Sequence, residues 1–226
     1  MALPFARYGR AELAVAIVGL LLLSAALFLS FPWASLLPLP LIAFFCHFFR
    51  DPERRVPAEA GLVVAPADGR VTDVGVCEAT PFVEGPSLRI GIFLSVFDVH
   101  VNRAPVAGRV AYLDYRKGRF LSALRYDACS RENECSSVGL LTEAVPGGRV
   151  LVRQIAGALA QRIVCDCRLG RPLERGERFG MIKFGSRTEL YLAAPVSLEV
   201  RVKVGDHVKG GETVLAAVRP GMPAGR

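Results

Sequence analysis

The sequence predicts a mainly β domain of barrel or sandwich type, preceded by an N-terminal α-helical membrane hairpin. Three observations predict it. From Leu13 to Phe49 there is no Asp, Glu, Lys or Arg, an uncharged length that suits a bilayer. Beyond Arg50, short β-rich runs alternate with Gly, Pro and Asp turns. That spacing argues for a barrel or sandwich rather than for strand–helix–strand units.

The first apolar run, "AELAVAIVGLLLLSAALFLSF" (11–31), is long enough to cross as a helix. "FPW" then breaks it. A second run, "ASLLPLPLIAFFCHFF" (34–49), is shorter and is interrupted by Pro38 and Pro40. Arg7 and Arg10 precede the pair; Arg50, Arg54 and Arg55 follow it. The positive-inside rule puts both flanks in the cytoplasm, giving a hairpin, or one span plus a re-entrant piece. A cleaved signal peptide fits poorly, because the apolar region runs past any plausible cleavage site. The expected organisation is an anchor over 1–50 and a β-rich domain over 51–226, at the cell membrane on its cytoplasmic side.

The β-rich runs are "GLVVAPADGRVTDVGV", "SLRIGIFLSVFDVHV", "GRVAYLDYRKG", "GRVLVRQIAG", "RIVCDCRLG" and "EVRVKVGDHVKGGETVLAAV". "FLSALRYDACSRENECSS" has no clean period and reads as a loop with a helical turn. One echo is internal: Ala65 to Val71 and Ala104 to Val110 both read A-P-x-x-G-R-V, a turn feeding a strand. The C-terminal "VKVGDHVKGGETVLAAV" resembles the hammerhead strands of biotinyl and lipoyl domains. Lys203 and Lys209 flank its turn without a carrier motif around them, so the echo reads as shared barrel geometry.

The net charge is +7, yet the basic residues are scattered and form no block interleaved with aromatics. Nucleic acid is therefore not an expected partner, whereas an anionic membrane surface is. The six cysteines include no CxxC pair. Cys165-Asp166-Cys167 is not a zinc spacing, so no metal site is expected. These two cysteines are expected on opposite strand faces, reduced in a cytosol-facing domain.

Chemistry has few candidates. Gly185-Ser186 lacks the G-x-S-x-G elbow of α/β-hydrolases and by itself suits a turn. Of three histidines, His47 lies in the apolar segment and His207 in a solvated turn. His100, at the end of an apolar strand, is the one placed to act as a general base in the β-rich domain. Asp68, in "PADGRV", or Asp98, two residues before His100, could orient the imidazole.

Five stretches in order, "FFRDPERRVP", "VVAPADGRV", "FLSVFDVHVNRAPVAG", "QIAGALAQRIVC" and "GERFGMIKFGSRTELYL", resemble phosphatidylserine decarboxylase in its short, membrane-anchored form. The resemblance runs from about Phe48 to the C-terminus. It implies a pyruvoyl-dependent carboxy-lyase of phospholipid biosynthesis, made as a zymogen. Ser186 would attack the Gly185 carbonyl, and cleavage would leave chains 1–185 and 186–226 as a heterodimer. The new pyruvoyl group on residue 186 would form a Schiff base with phosphatidylserine and yield phosphatidylethanolamine. By the resemblance, His100 is the base, and Asp68 completes a triad-like relay that fixes its tautomer. Many relatives carry L-G-S-T where this chain has F-G-S-R, and some carry a second histidine where it has Arg103. Arg103 reads either as a ligand for the lipid phosphate or carboxylate or as a surface salt bridge. Two other readings stand beside this one: a non-enzymatic, membrane-anchored adaptor of biotinyl/lipoyl type, and a membrane serine hydrolase, which the missing elbow disfavours.

Overall fold

A computed structural model describes residues 5–78, 80–121, 126–158, 162–183, 186–193 and 195–219. The chain forms two compact units, residues 1–53 and 54–226.

In the first unit, α1 (Arg10–Ser30) is apolar all round, with Glu12 in its first turn. Its 21 residues rise about 32 Å, the thickness of a hydrocarbon core. It is the one helix among the described residues long and apolar enough to cross a membrane. A 3₁₀ turn (Pro32–Leu36) leads to α2 (Leu39–Phe48), whose 10 residues reach only about half as far. Pro38 and Pro40 do not interrupt this helix. They lie at its cap and first turn, where a missing N–H costs nothing. The Ala6 N–H donates to the Phe49 carbonyl (2.8 Å), which brings the two ends of this unit together.

The second unit is mostly β. Its strands are β1 (Leu62–Val64), β2 (Gly69–Cys77), β3 (Ser87–Leu94), β4 (Val101–Arg103), β5 (Gly108–Arg116), β6 (Cys135–Leu141) and β7 (Arg149–Ile155). They continue as β8 (Arg162–Cys165), β9 (Pro172–Leu173), β10 (Arg178–Lys183), β11 (Ser186–Ala193), β12 (Leu198–Val200), β13 (His207–Val208) and β14 (Val214–Val218). Eight form one curled antiparallel sheet, ordered β13-β2-β3-β11-β7-β6-β5-β9; two three-stranded sheets, β1-β14-β12 and β4-β10-β8, complete it. The core lies between, with Val71, Ile90, Leu140, Leu190 and Leu215 fully buried in it.

The strand orders reveal an internal duplication. Reading β13-β2-β3-β11 against β9-β5-β6-β7, and β1-β14-β12 against β4-β10-β8, matches every strand to a counterpart in chain order. The turn bonds repeat: Val71 N–H to Asp206 O (2.8 Å) mirrors Val110 N–H to Arg171 O (2.9 Å), and Gly211 N–H to Ala65 O mirrors Gly176 N–H to Ala104 O, both 2.8 Å. The two A-P-x-x-G-R-V turns clasp each other, Arg103 N–H donating to Pro66 O (2.9 Å) and Val64 N–H to Pro105 O (3.0 Å). The echo in the sequence is thus the visible part of two seven-stranded halves. The second half (β4–β10) is inserted between the third and fourth strands of the first.

Two expectations change. The stretch around residues 120–137 contains a helix, α3 (Tyr126–Glu132), and the start of β6; residues 122–125 lie outside the described ones. Cys165 and Cys167 do not point apart. Residues two apart along an extended chain share a face, and both pack against the same core; the neighbouring thiols hold Cys165 down at about 7 and push Cys167 up. All six cysteines are free thiols.

Candidate active site

Ser186 is the first residue of β11, not a hairpin turn residue. β10 and β11 belong to different sheets, so the Gly185-Ser186 link is a crossover between them; Phe184 and Gly185 lie outside the described residues. β11 is central, paired along its length with β3 and β7. Its alternation aims Ser186, Thr188, Leu190 and Leu192 at the core, and Arg187, Glu189 and Tyr191 at the opposite face. Ser186 is fully buried, and its Oγ has no hydrogen-bond partner among the described residues. Such a group costs roughly 1–3 kcal/mol in desolvation and requires a reason.

His100 is fully buried just before β4, and its carbonyl receives the Ile182 N–H at 3.2 Å. It therefore sits beside the end of β10, at the other side of the short connection that leads to Ser186. Its Nδ1 is 3.0 Å from the Asp98 carbonyl oxygen. A carbonyl only accepts, so Nδ1 carries the proton and Nε2 is the basic nitrogen. The Asp98 carboxylate faces elsewhere: Oδ2 accepts from Ser95 N–H (2.8 Å) and Oγ (2.7 Å), and Oδ1 pairs with His207 Nε2 at 3.0 Å.

Asp68 does not hydrogen-bond to His100 among the described residues. Arg54 Nη2 donates to both its carboxylate oxygens (2.9 and 2.7 Å), and Gly210 N–H to Oδ1 (2.8 Å). The tautomer is thus set by a backbone carbonyl, where the sequence suggested the Asp68 carboxylate. Burial raises the Asp68 pKa, and Arg54 opposes this only in part. Its turn nevertheless lies against β4, because Pro66 O accepts from both Arg103 N–H and Asn102 Nδ2.

Arg103 is not a surface salt bridge. It is only 4% exposed, and Nη1 donates to Gly176 O at 3.2 Å. That contact ties Arg103 to the 175–177 turn.

Sequence reading missed a buried polar chain on the core face. Gln154 Nε2 donates to Asn102 Oδ1 (2.8 Å), and Asn102 Nδ2 to Thr188 Oγ1 (3.0 Å). All three are fully buried. Thr188, two residues after Ser186, was within reach of a period-two argument; Asn102 and Gln154 carried no such signal. In the sequence Arg54 carries no signal beyond that of a flanking charge.

One family pattern, described as phosphatidylserine decarboxylase, matches residues 41–216. The chain belongs to the phosphatidylserine decarboxylase family. Among its relatives, a protein of Symbiobacterium thermophilum is 50% identical over 88% of this chain and 90% of its own length. One from Rhodopirellula baltica is 45% identical over 97% and 90%, and one from Syntrophus aciditrophicus 43% over 87% and 90%. Each is named phosphatidylserine decarboxylase proenzyme.

Proposed function

We propose that Ser186 creates the reactive centre of this chain by cutting the bond before it, with His100 as base. The activity served is that of the family: pyruvoyl-dependent conversion of phosphatidylserine to phosphatidylethanolamine and CO₂, in a proenzyme that cleaves itself into a large and a small chain. One observation carries the assignment to Ser186, namely its buried hydroxyl, without a partner among the described residues, at the head of the central strand. A hydroxyl without a partner among the described residues is free of them to take the approach that attack requires.

In the first step His100 Nε2 takes the Ser186 Oγ proton as Oγ adds to the Gly185 carbonyl carbon. The C–N bond breaks, the nitrogen of residue 186 takes up a proton, and an ester links the two residues. Loss of the Cα proton of residue 186 then expels Oγ with Gly185 as a carboxylate. Water replaces the nitrogen, which leaves as ammonia, and residue 186 ends as a pyruvoyl group. Its carbonyl supplies an electron sink for the carbanion formed as CO₂ departs.

Asp68 acts on this site through its charge and its turn rather than through a bond to the imidazole. Arg54 holds that carboxylate in place. The segment 1–50 anchors residues 51–226 at the membrane, where the lipid substrate lies. The basic flanks Arg7, Arg10, Arg50, Arg54 and Arg55 support a cytoplasmic catalytic unit.

The test is the mass of the denatured protein. Cleavage gives a C-terminal fragment spanning 186–226 with a blocked N-terminus, and Ser186→Ala leaves one uncut, inactive chain. An uncut wild-type chain with full turnover overturns the proposal.

A further inference from the structure

The face of β11 opposite Ser186 carries a buried charge web that the proposed cut does not use. Arg187 is 1% exposed in its side chain. It pairs with Asp73 on β2 and donates through Nε to Glu189 Oε1 (2.9 Å) and through Nη1 to Thr72 Oγ1 (2.5 Å). Glu189, wholly buried, also accepts from Ser130 Oγ of α3 (2.6 Å) and Tyr191 OH (2.7 Å). Space is made for the web by Gly91, where an added Cβ would collide with both the Arg187 guanidinium and the Asp73 carboxylate. Burial opposes ionisation of all three groups. The attraction between them outweighs it, lowering the Asp73 and Glu189 pKa values and raising that of Arg187.

The duplication supplies an internal control. Arg70, Phe93 and Arg187 stand in one row across β2, β3 and β11; Arg109, Leu141 and Arg149 stand in the matching row across β5, β6 and β7. Arg187 and Arg149 are therefore counterparts. Arg149 is 38% exposed in its side chain and pairs with the 83% exposed Glu84. Arg149 also donates to Phe82 O (3.0 Å) but stays partly exposed, whereas the arginine beside the proposed cut is buried and bound by three side chains.

We propose that Arg187 is a positioning residue, mooring the first residues of the small chain so that the group on residue 186 stays aimed at the core face after the bond is lost. This rests on the cut at 185–186. Before cleavage, residue 186 is held by covalent bonds on both sides; afterwards one side is free. The end of a strand frays unless something fixes it. Arg187 is the residue next to the reactive one, its side chain points the opposite way, and its partners lie on the large chain (Asp73, Thr72) and on its own strand (Glu189).

The experiment compares full-length Arg187→Gln, Arg187→Lys, Asp73→Asn and Arg149→Gln, assayed on phosphatidylserine in phosphatidylcholine vesicles. Hydrogen exchange of the 187–190 amides is followed on the cut protein. Arg187→Gln is expected to lower kcat about a hundredfold with KM nearly unchanged, the scale of a small misplacement of a reacting group. Exchange at 187–190 should quicken. Arg187→Lys should restore part of both readouts, Asp73→Asn should show the same split at smaller size, and Arg149→Gln should change neither. Wild-type kcat in cut Arg187→Gln overturns the proposal, as does an equal loss in Arg149→Gln. If Arg187→Gln fails to fold, an unchanged kcat in Asp73→Asn overturns it. Absence of the 186–226 fragment from the wild type would instead overturn the cut itself.

Discussion

The two halves of the β unit share a strand plan but not a chemistry. Carried onto the second half, the position of Ser186 is Gly148, that of Asp68 is Ala107, and His100 of the second half falls on Gly61 of the first. Every candidate group meets a residue without a functional side chain. Even the flanking residues agree, Gly147-Gly148-Arg149 against Gly185-Ser186-Arg187. The lesson is that the halves repeat the strand but not its approach: β7 follows β6 of the same sheet through a hairpin, whereas β11 follows β10 of another sheet.

The comparison can be broken or sharpened in order of effect. Ser186→Ala should abolish both cleavage and turnover, read as one band on a denaturing gel. His100→Ala should slow cleavage by about 10²–10⁴-fold, the usual worth of a positioned base; normal processing removes it from that role. In an uncut Ser186→Ala background, Arg187→Gln should cost about 3 kcal/mol in denaturant unfolding, because it takes the arginine from the wholly buried Glu189 carboxylate. Arg149→Gln in the same background should cost less than about 1 kcal/mol, as exposed pairs do.

Acid should separate the arginines again. Asp73 and Glu189 have folded pKa values below their unfolded ones. Their contribution is therefore complete above the ordinary carboxylate range, about pH 4, and is lost as pH falls through the lowered folded values. A pH series of unfolding midpoints should fall off there in Ser186→Ala and less steeply once Arg187→Gln is added. The smallest effect is expected from Gly148→Ser. It should produce no second cut, because Gly61 stands where a base would be needed. The fragment pattern should remain that of 186–226 alone.

The sequence made the apolar anchor and the β-rich domain legible, because charge gaps and period-two runs are local signals. The duplication was barely legible. The halves share mainly turn glycines, prolines and arginines, and the insertion splits one repeat around the other. The hydroxyl of Ser186 could be singled out only with its neighbours' motifs. The partner of His100 could not, because a backbone carbonyl such as that of Asp98 leaves no mark in a sequence. Nor could the burial of Arg187, since charges next to one another in a strand read as a solvated face until Gly91 and α3 are seen to enclose them.

The place of β11 also fixes a chronology. The segment after residue 185 supplies the strand between β3 and β7, and later the strand between β1 and β12. A large chain made without it would present two long unpaired strand edges to solvent, an invitation to aggregate. Assembly is therefore expected to be finished while the polypeptide is still continuous, before scission and the formation of the pyruvoyl group that follows it. Separately synthesised pieces would be expected to meet as tangled edges rather than as an enzyme.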